Sequence, residues 1–218
     1  MICERFVCGR TRSNAYLFSP ADGRAMIVDP GVGAAPVLRA ALERTGTTPE
    51  AILLTHGHFD HVWSARSLSD TYAIPVHIHA ADRRWLDDPA CGGYLPIITH
   101  AGRLAGRIRR VTPRRIEVIE GDTLALAGAE VRVVHTPGHT PGGVCFVSDG
   151  LCFTGDTLFA GGPGHTGYPG GSRVTLADSV ARLLDELDDE TRLLPGHGPE
   201  TTVGRVRQRL AAVATPRR

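Results

Sequence analysis

The sequence predicts an α/β protein in which two mixed β-sheets pack face to face and helices cover their outer faces. Strand-like and helix-like runs alternate along the chain, and both halves are rich in strand patterns while carrying helices of their own. The chain has 218 residues, of which 42% are hydrophobic, and this is enough to bury a large core. We therefore expect one domain that spans residues 1–218.

Turn and helix signals define the elements of the first half. Residues 20–23 read Pro-Ala-Asp-Gly, a hairpin signal between two apolar runs. The run at 35–46 places its apolar positions on one helical face and ends at Gly46, which suits a C-cap. The predicted elements are strands at 15–19 and 25–30, a helix at 35–46, a strand at 51–55, a helix at 62–72 and a strand at 74–80.

The second half is richer in strands and closes with a helix. Residues 176–187 form a clear amphipathic pattern. The predicted elements are strands at 116–121, 123–128, 130–136, 143–149 and 151–156, a helix at 176–187, a strand at 191–196 and a helix at 203–213.

The segment 87–115 differs from its surroundings. It carries glycine and proline breaks together with six arginines: Arg103, Arg107, Arg109, Arg110, Arg114 and Arg115. We interpret it as a surface insertion, for which a solvated basic loop is favoured over a lid or a contact surface.

Charge, hydropathy and cysteine usage narrow the class of protein. The net charge of +1 predicts neither a nucleic-acid nor a membrane partner. No run approaches the roughly 18 consecutive apolar residues of a membrane span, and the first ten residues lack the apolar stretch of a signal peptide. The five cysteines are an odd number without C-x-x-C spacing, which is typical of reduced thiols in a cytoplasmic protein.

Histidine and aspartate residues follow several apolar strands directly. The run Thr-His-Gly-His-Phe-Asp-His at 55–61 comes straight after the strand at 51–55, and His139, Asp156 and His197 follow three later strands. Loops at strand ends are where a rigid scaffold brings distant residues together. Imidazole and carboxylate ligands suit zinc, iron and manganese, so this pattern predicts a metal site.

The number of candidate ligands indicates two ions. The seven candidates are His56, His58, Asp60, His61, His139, Asp156 and His197. Seven exceed the roughly four ligands of one tetrahedral ion but suit two ions that share a bridging carboxylate. His56 and His58 are two positions apart and can point the same way, while Asp60 and His61 can face a second ion.

Four segments resemble a known family. THGHFDH, HTPGHTPGG, GDTLFAGG and LPGHGPET resemble the motifs of the metallo-β-lactamase-fold hydrolases, most closely the glyoxalase II-like (hydroxyacylglutathione hydrolase-like) branch. The resemblance extends from SNAYLF to GHGPET and implies an αββα sandwich with a dinuclear site at one edge. It further implies that His56, His58 and His139 hold one ion, that Asp60, His61 and His197 hold the other, and that Asp156 bridges them.

The remaining histidines have a different interpretation. His77, His79, His100 and His135 are assigned structural roles, because the ligand count is already filled. Asp29, in the run Val-Asp-Pro-Gly, is expected to orient a ligating imidazole or to cap a turn rather than to bind metal.

The predicted site suits attack on a carbonyl group. A hydroxide held between two cations is nucleophilic at neutral pH, and Asp60 would orient it or accept its proton. The resemblance suggests a thioester of a small or carrier-bound acyl group, with ester or lactone hydrolysis as the alternative. An anionic carrier would be consistent with the arginine-rich segment.

Substrate contacts are predicted on the loop after Asp156. Phe159, His165 and Tyr168 are expected to line the pocket, although the glycine-rich loop is equally consistent with a plain turn. The family often places Lys or Arg where this chain has His165, and a neutral imidazole holds a carboxylate less well than a permanent cation.

Two other functional hypotheses compare with hydrolysis. A persulfide dioxygenase of the same fold would use a single iron, here on His56, His139 and Asp156. A metal-binding protein without activity is disfavoured, because all seven candidate ligands are present. Zinc is the expected metal, with iron and manganese as alternatives, and the oligomeric state is left open.

Overall fold

The first of two main sheets is built almost entirely from the first half of the chain. The computed structural model describes residues 1–20, 23–87, 112–119 and 123–214. In spatial order this sheet contains β1 (Ile2–Cys8), β2 (Ser13–Ser19), β3 (Arg24–Val28), β4 (Thr48–Leu53), β5 (Val76–His79) and β6 (Ile116–Ile119). Strands β1 to β3 pair antiparallel and β3 to β6 pair in parallel, so the sheet is mixed.

The second sheet is also mixed. Its spatial order is β14 (Thr201–Thr202), β13 (Arg192–Pro195), β10 (Leu151–Gly155), β9 (Val144–Ser148), β8 (Ala129–His135) and β7 (Thr123–Leu126). Strands β10 and β13 pair in parallel, while the other neighbours are antiparallel. A short ribbon of β11 (Leu158–Phe159) and β12 (Gly162–Pro163) follows β10.

Helices cover the outer faces of both sheets. The described helices are α1 (Ala34–Thr45), α2 (Phe59–Val62), α3 (Ala65–Tyr72), a 3₁₀ turn (Ala80–Asp82), α4 (Arg84–Asp87), α5 (Arg173–Glu186) and α6 (Val203–Ala214). Buried residues of α1 and α3 pack with the first sheet, and those of α5 and α6 pack with the second. Gly46 ends α1 in a left-handed conformation, as the C-cap signal predicts.

The strand β2 shows how the layers are held together. Alternate residues of a strand point to opposite faces, and every position of β2 is buried. Leu17 lies in the cluster beneath α1, whereas Tyr16 and Phe18 face the second sheet and contact Phe153 with ring centroids 5.4 and 5.5 Å apart. The prediction of two mixed sheets packed face to face beneath helices is therefore confirmed.

The helix predicted at 62–72 differs from the structure. A short helix, α2, already begins at Phe59, and the chain then breaks before α3 begins at Ala65. Ser64 explains the break, because its N–H donates to Pro30 O at 2.8 Å and its hydroxyl donates to Gly31 O at 2.6 Å. These bonds tie the chain to the loop after β3 instead of continuing one helix.

Some predictions fall on residues outside the described ranges. They include His100, Cys91, residues 21–22 of the hairpin signal and residues 88–111 of the segment 87–115. The role of the segment 87–115 and the assignment of residues 1–218 to one domain stay predictions. Cys3, Cys8, Cys145 and Cys152 are free thiols. Among the described helices, none is long and apolar enough to cross a membrane.

Candidate metal centre

Three imidazoles form the first group of potential ligands. His56 and His58 follow β4, and His139 follows β8. One ligand atom from each lies within 4.8 Å of the others, and His139 Nε2 is 2.9 Å from His58 Nδ1. His56 Nε2 is buried and has no hydrogen-bond partner in the described part of the chain. Such convergence of imidazole nitrogens fits a site for a cation.

The surroundings of this group favour neutral imidazoles. Burial and, to a smaller extent, the neighbouring His139 and His61 lower the pKa of His58 to about 3. Burial and the adjacent imidazoles also hold the pKa of His56 well below its usual value. Neutral imidazole presents the lone pair that binds a metal ion.

Asp60, His61 and His197 form the second group. His197 Nε2 lies 3.4 Å from Asp60 Oδ2 and 3.4 Å from His61 Nε2. Burial would lower the pKa of His61, but the carboxylates of Asp156, Asp60 and Asp29 raise it to about 10. Because the same negative surroundings that stabilise an imidazolium also stabilise a metal ion, this group suits a cation.

Asp156 lies between the two groups. Its Oδ2 atom is 3.5 Å from His139 Nε2 and 3.7 Å from His197 Nε2, and its Oδ1 atom is 3.6 Å from His61 Nε2. Oδ1 is buried and has no hydrogen-bond partner among the described residues. The position of this carboxylate therefore fits a bridge between two ions, and the seven residues together fit a dinuclear site.

Asp29 orients one of the candidate ligands. It is 2% exposed and accepts hydrogen bonds from Thr55, at 2.8 Å from the backbone N–H and 2.6 Å from the hydroxyl. Its Oδ2 atom is also 3.0 Å from His61 Nδ1, which leaves Nε2 facing the site. The predicted contact of Asp29 with a candidate ligand is confirmed.

Asp82 supports the site and was not predicted from the sequence. It is fully buried and accepts hydrogen bonds from Gly57 N at 3.0 Å, Thr140 Oγ1 at 2.7 Å and Gly142 N at 2.7 Å. Burial raises the pKa of Asp82, and these hydrogen bonds oppose the rise. The carboxylate joins the loop of His56 and His58 to the loop of His139. A signal existed, since an aspartate shortly after the predicted strand at 74–80 repeats the pattern of the ligand loops.

Trp85 was also missed. Its ring stacks on His58 with centroids 5.3 Å apart and an interplanar angle of 15°. A Cβ added to Gly57 would lie 3.0 Å from Trp85 Cβ, so glycine lets the tryptophan approach the loop closely. Stacking on this buried indole holds the imidazole plane of His58 in place.

A cavity of about 240 Å³ opens onto the candidate ligands. Its lining includes Phe159, His165 and Tyr168 from the glycine-rich loop. Tyr168 stands edge-on to His58 at 5.1 Å, and the backbone carbonyl of His165 accepts a hydrogen bond from His139 Nδ1. The loop thus brings these side chains to the cavity, and their contact with a substrate stays a prediction.

The other described histidines lie apart from the two groups. His79 stacks on His135 with centroids 4.2 Å apart, and His135 Nε2 is 3.1 Å from Pro141 O. His77 is buried, and its Nδ1 atom is 3.6 Å from Glu117. Within the part of the chain that the structure describes, these three residues join no group of potential metal ligands.

Gly196 provides a first test of the crowding around the site. A Cβ at this position would lie 2.6 Å from His61 Cε1 and closer still to Asp156 Oδ1, so Gly196→Ala must displace candidate ligands. We expect metal affinity to fall by roughly 10–100-fold, as for other disturbances of ligand orientation. Competition with a chelator of known affinity measures the change.

The matched control is Gly161→Ala. An added Cβ at Gly161 would meet nothing within 4 Å, so its metal affinity should equal that of the wild type. Equal affinities of Gly196→Ala and wild type would contradict the proposed positions of His61 and Asp156.

Comparisons with known proteins identify the family of the chain. The model of the Metallo-beta-lactamase superfamily matches residues 8–197. Hydroxyacylglutathione hydrolase GloC of Haemophilus influenzae is 34% identical over 195 residues, which cover 88% of this chain and 89% of that protein.

Solved structures show the same likeness. The BLEG-1 B3 metallo-beta-lactamase superposes with a TM-score of 0.82 at 34% identity, over 98% of this chain and 100% of that one. The di-iron-bound form of TTHA1623 superposes with a TM-score of 0.77 at 35% identity, over 93% and 96% of the two chains. Sequence and fold thus agree, and the chain belongs to the metallo-β-lactamase superfamily.

Proposed function

We propose that the protein is a metal-dependent hydrolase that cleaves the thioester of a small or carrier-bound acyl group. The observation that carries the proposal is the position of Asp156, within 3.7 Å of nitrogen atoms from both groups of potential ligands. Such an arrangement favours two ions over one. The likeness to GloC, a hydroxyacylglutathione hydrolase, supports a thioester as the bond that is cleaved.

Two divalent ions are the proposed cofactor. His56, His58 and His139 would hold one, Asp60, His61 and His197 the other, and Asp156 would bridge them. When bound, such ions lower the pKa of a water molecule and polarise a carbonyl oxygen. We propose zinc, with iron as the alternative, since TTHA1623 is known in a di-iron-bound form.

Asp60 is the proposed proton acceptor. Burial would raise its pKa, but His61 and His197 hold it below its usual value. The side chain is therefore ionised at neutral pH, and it lines the cavity that holds the candidate ligands. A carboxylate in this position can orient the nucleophilic water and accept its proton.

The glycine-rich loop is proposed to hold the acyl group. Phe159 and Tyr168 give the cavity an aromatic wall that excludes water from the reacting carbonyl. His165 adds a polar group on the same side. Its Nδ1 atom accepts a hydrogen bond from Gly167 N at 3.1 Å, which fixes the ring.

A substrate panel tests the function. Metal-loaded protein is assayed with acyl thioesters, with matched oxygen esters and lactones, with a chromogenic cephalosporin and, by oxygen uptake, with a persulfide. We expect thioester cleavage with one thiol released per acid formed, and the greatest kcat/KM in the panel. Faster turnover of esters, lactones or the cephalosporin would replace the thioester as substrate, and oxygen uptake with one iron per chain would replace hydrolysis by oxidation.

A further inference from the structure

A second cavity with a basic lining adjoins the metal centre. It has a volume of about 390 Å³ and is lined by Arg5, Val7, Thr11, Arg12, Asn14 and His197, among others. His197 also lines the cavity of about 240 Å³ that opens onto the candidate ligands. The two cavities therefore meet at the His197 side chain, and a substrate that occupied both would extend past its ring.

The hairpin between β1 and β2 forms one wall. Cys8 pairs with Ser13, and the four-residue turn 9–12 connects the strands. Arg12 closes the turn with a φ of 57°, a left-handed conformation that costs roughly 1 kcal/mol or more for a residue with a Cβ. Ser13 forms an isolated β-bridge with His197, so the hairpin lies beside the loop after β13 that carries this candidate ligand.

Strand β1 supplies the base of the cavity. Alternation places Cys3, Arg5 and Val7 on one face of the strand. Cys3 packs against the core between the sheets, and Arg5 and Val7 continue this face toward the hairpin turn. Val7 is 49% exposed and gives the cavity an apolar floor.

The two guanidinium groups lack carboxylate partners. Arg5 Nη1 donates to Gly198 O at 2.7 Å, and within the described ranges neither Arg5 nor Arg12 forms an ion pair. No carboxylate of the described ranges lines the cavity. Glu200, which lies just beyond its lining, is paired with Arg192 at 2.7 Å. The lining therefore carries an unbalanced positive charge.

Two buried oxygen atoms at this cavity also lack partners. Thr11 Oγ1 and Asn14 Oδ1 have no hydrogen-bond partner among the described residues. The orientation of Asn14 is clear, because its amide nitrogen donates to Pro195 O at 2.8 Å and to Gly198 O at 2.9 Å. The hydrogen-bonding capacity of these two oxygen atoms is thus unused by the described residues around the cavity.

Among the described residues, the cavity at the candidate metal centre has no comparable cation. Its described lining contains neither lysine nor arginine, and His165 is the basic side chain on the glycine-rich loop. An anionic substituent is held far better by guanidinium than by neutral imidazole. Among the described residues that line the two cavities, the guanidinium groups are thus those of Arg5 and Arg12, in the cavity on the other side of His197.

We propose that the second cavity is a subsite for an oxyanion of the substrate, a carboxylate or a phosphate carried on the thiol side of the thioester. Arg12 and Arg5 bind the anion, and Val7 contacts the adjoining carbon chain. The substrate class is then an anionic acyl thioester. The assignment of a thioester rests on the proposed function, whereas binding of the anion does not depend on hydrolysis.

Matched substrates and a matched variant test the subsite. Acetyl-4′-phosphopantetheine is compared with acetylpantetheine, and the acetyl thioester of 3-mercaptopropionate with that of its amide. Arg12→Asn removes the cation, and asparagine tolerates the left-handed backbone of residue 12. Arg10→Asn, in the same turn but outside the cavity lining, is the control.

We expect Arg12→Asn to raise KM roughly tenfold for the anionic member of the preferred pair, with kcat changed less than twofold. The neutral member should change less than twofold, and Arg10→Asn should leave both unchanged. The pair in which the wild-type protein favours the anionic member more strongly, by kcat/KM, identifies the anion as a phosphate or a carboxylate. Equal effects on anionic and neutral members, or no effect on either, would overturn the subsite.

A binding experiment separates the subsite from the proposed reaction. Metal-loaded protein is titrated with S-methylglutathione, an anionic thioether that cannot be hydrolysed as a thioester, and the amide shifts of residues 9–13 are followed by NMR. Saturable shifts in the wild type, with a dissociation constant that rises at least fivefold in Arg12→Asn, support the subsite. If every thioester is inert in the same protein, only the proposed reaction fails. Thioester turnover with no dependence of kinetics or binding on Arg12 keeps the reaction and removes the subsite.

Discussion

Asp156→Asn is expected to reduce thioester turnover roughly 10³-fold and to lower bound metal from two ions per chain to about one. The substitution keeps the shape of the side chain but removes its charge. In the wild type the carboxylate lies within 3.7 Å of His139, His61 and His197. Loss of this charge leaves a shared position without the anion that balances two cations, so the more weakly held ion should dissociate.

Metal analysis and kinetics on the same preparation measure this effect. Asp149→Asn is the control, because Asp149 lies in the turn between β9 and β10 and belongs to no candidate ligand group among the described residues. Its backbone is left-handed, with φ of 50°, a conformation that asparagine adopts readily. The control should match the wild type in both metal content and rate. Two ions per chain and a rate within tenfold of wild type in Asp156→Asn would show that this carboxylate does not bridge.

Asp82→Ala is expected to destabilise the protein by about 3–5 kcal/mol. The carboxylate accepts three hydrogen bonds in a fully buried position, and its removal leaves the donors of Gly57, Thr140 and Gly142 unsatisfied. Since these residues flank His58 and His139, metal affinity should fall together with stability. Urea denaturation of the metal-free protein measures the folding effect separately from metal binding.

A second carboxylate serves as the reference for this experiment. Asp185 is exposed on α5, and Asp185→Ala should change the free energy of unfolding by no more than about 0.5 kcal/mol. A similarly small change in Asp82→Ala would mean that the two loops hold their positions without this residue. Asp82→Asn, which keeps one acceptor oxygen, should fall between Asp82→Ala and wild type.

Much of the fold could be predicted from local pattern. The runs that end at Leu53, Gly155 and Pro195 are apolar enough to be recognised as strands buried between layers. Strand β1 was not recognised, because Glu4 and Arg5 interrupt its apolar pattern at the edge of the sheet. The break at Ser64 escaped prediction for another reason, since it depends on carbonyl groups at Pro30 and Gly31 that are remote in sequence.

The residues of the candidate site likewise divide into those that local pattern predicts and those that depend on contacts remote in sequence. His56, His139, Asp156 and His197 each follow a strand, so their convergence could be inferred from residue type and strand ends alone. Trp85 and Arg12 could not be found in this way, and Asp82, although it follows a predicted strand, gives no sign in the sequence of the donors that it contacts. Their importance comes from partners that only the folded chain brings close, a buried set of donors, an imidazole face and a cavity shared with His197.

The mononuclear and dinuclear alternatives differ in whether the second group of potential ligands, Asp60, His61 and His197, holds a metal ion. A single iron on His56, His139 and Asp156 would leave Asp60, His61 and His197 without a cation, although their ligand atoms lie within 4.8 Å of one another. Three carboxylates surround His61 and raise its pKa to about 10 in spite of its burial. Such concentrated negative charge around a buried imidazole favours a second ion.

Stepwise metal loading tests the dinuclear hydrolase most directly. Metal-free protein is given zinc or, in a parallel series, iron(II) up to two equivalents, and bound metal, thiol release from an acyl thioester and oxygen uptake with a persulfide are measured on each sample. For the dinuclear hydrolase we expect thiol release from an acyl thioester to rise until two ions are bound per chain, with no oxygen consumed. Maximal activity at one ion per chain, or activity that requires iron and consumes oxygen with a persulfide, would contradict it.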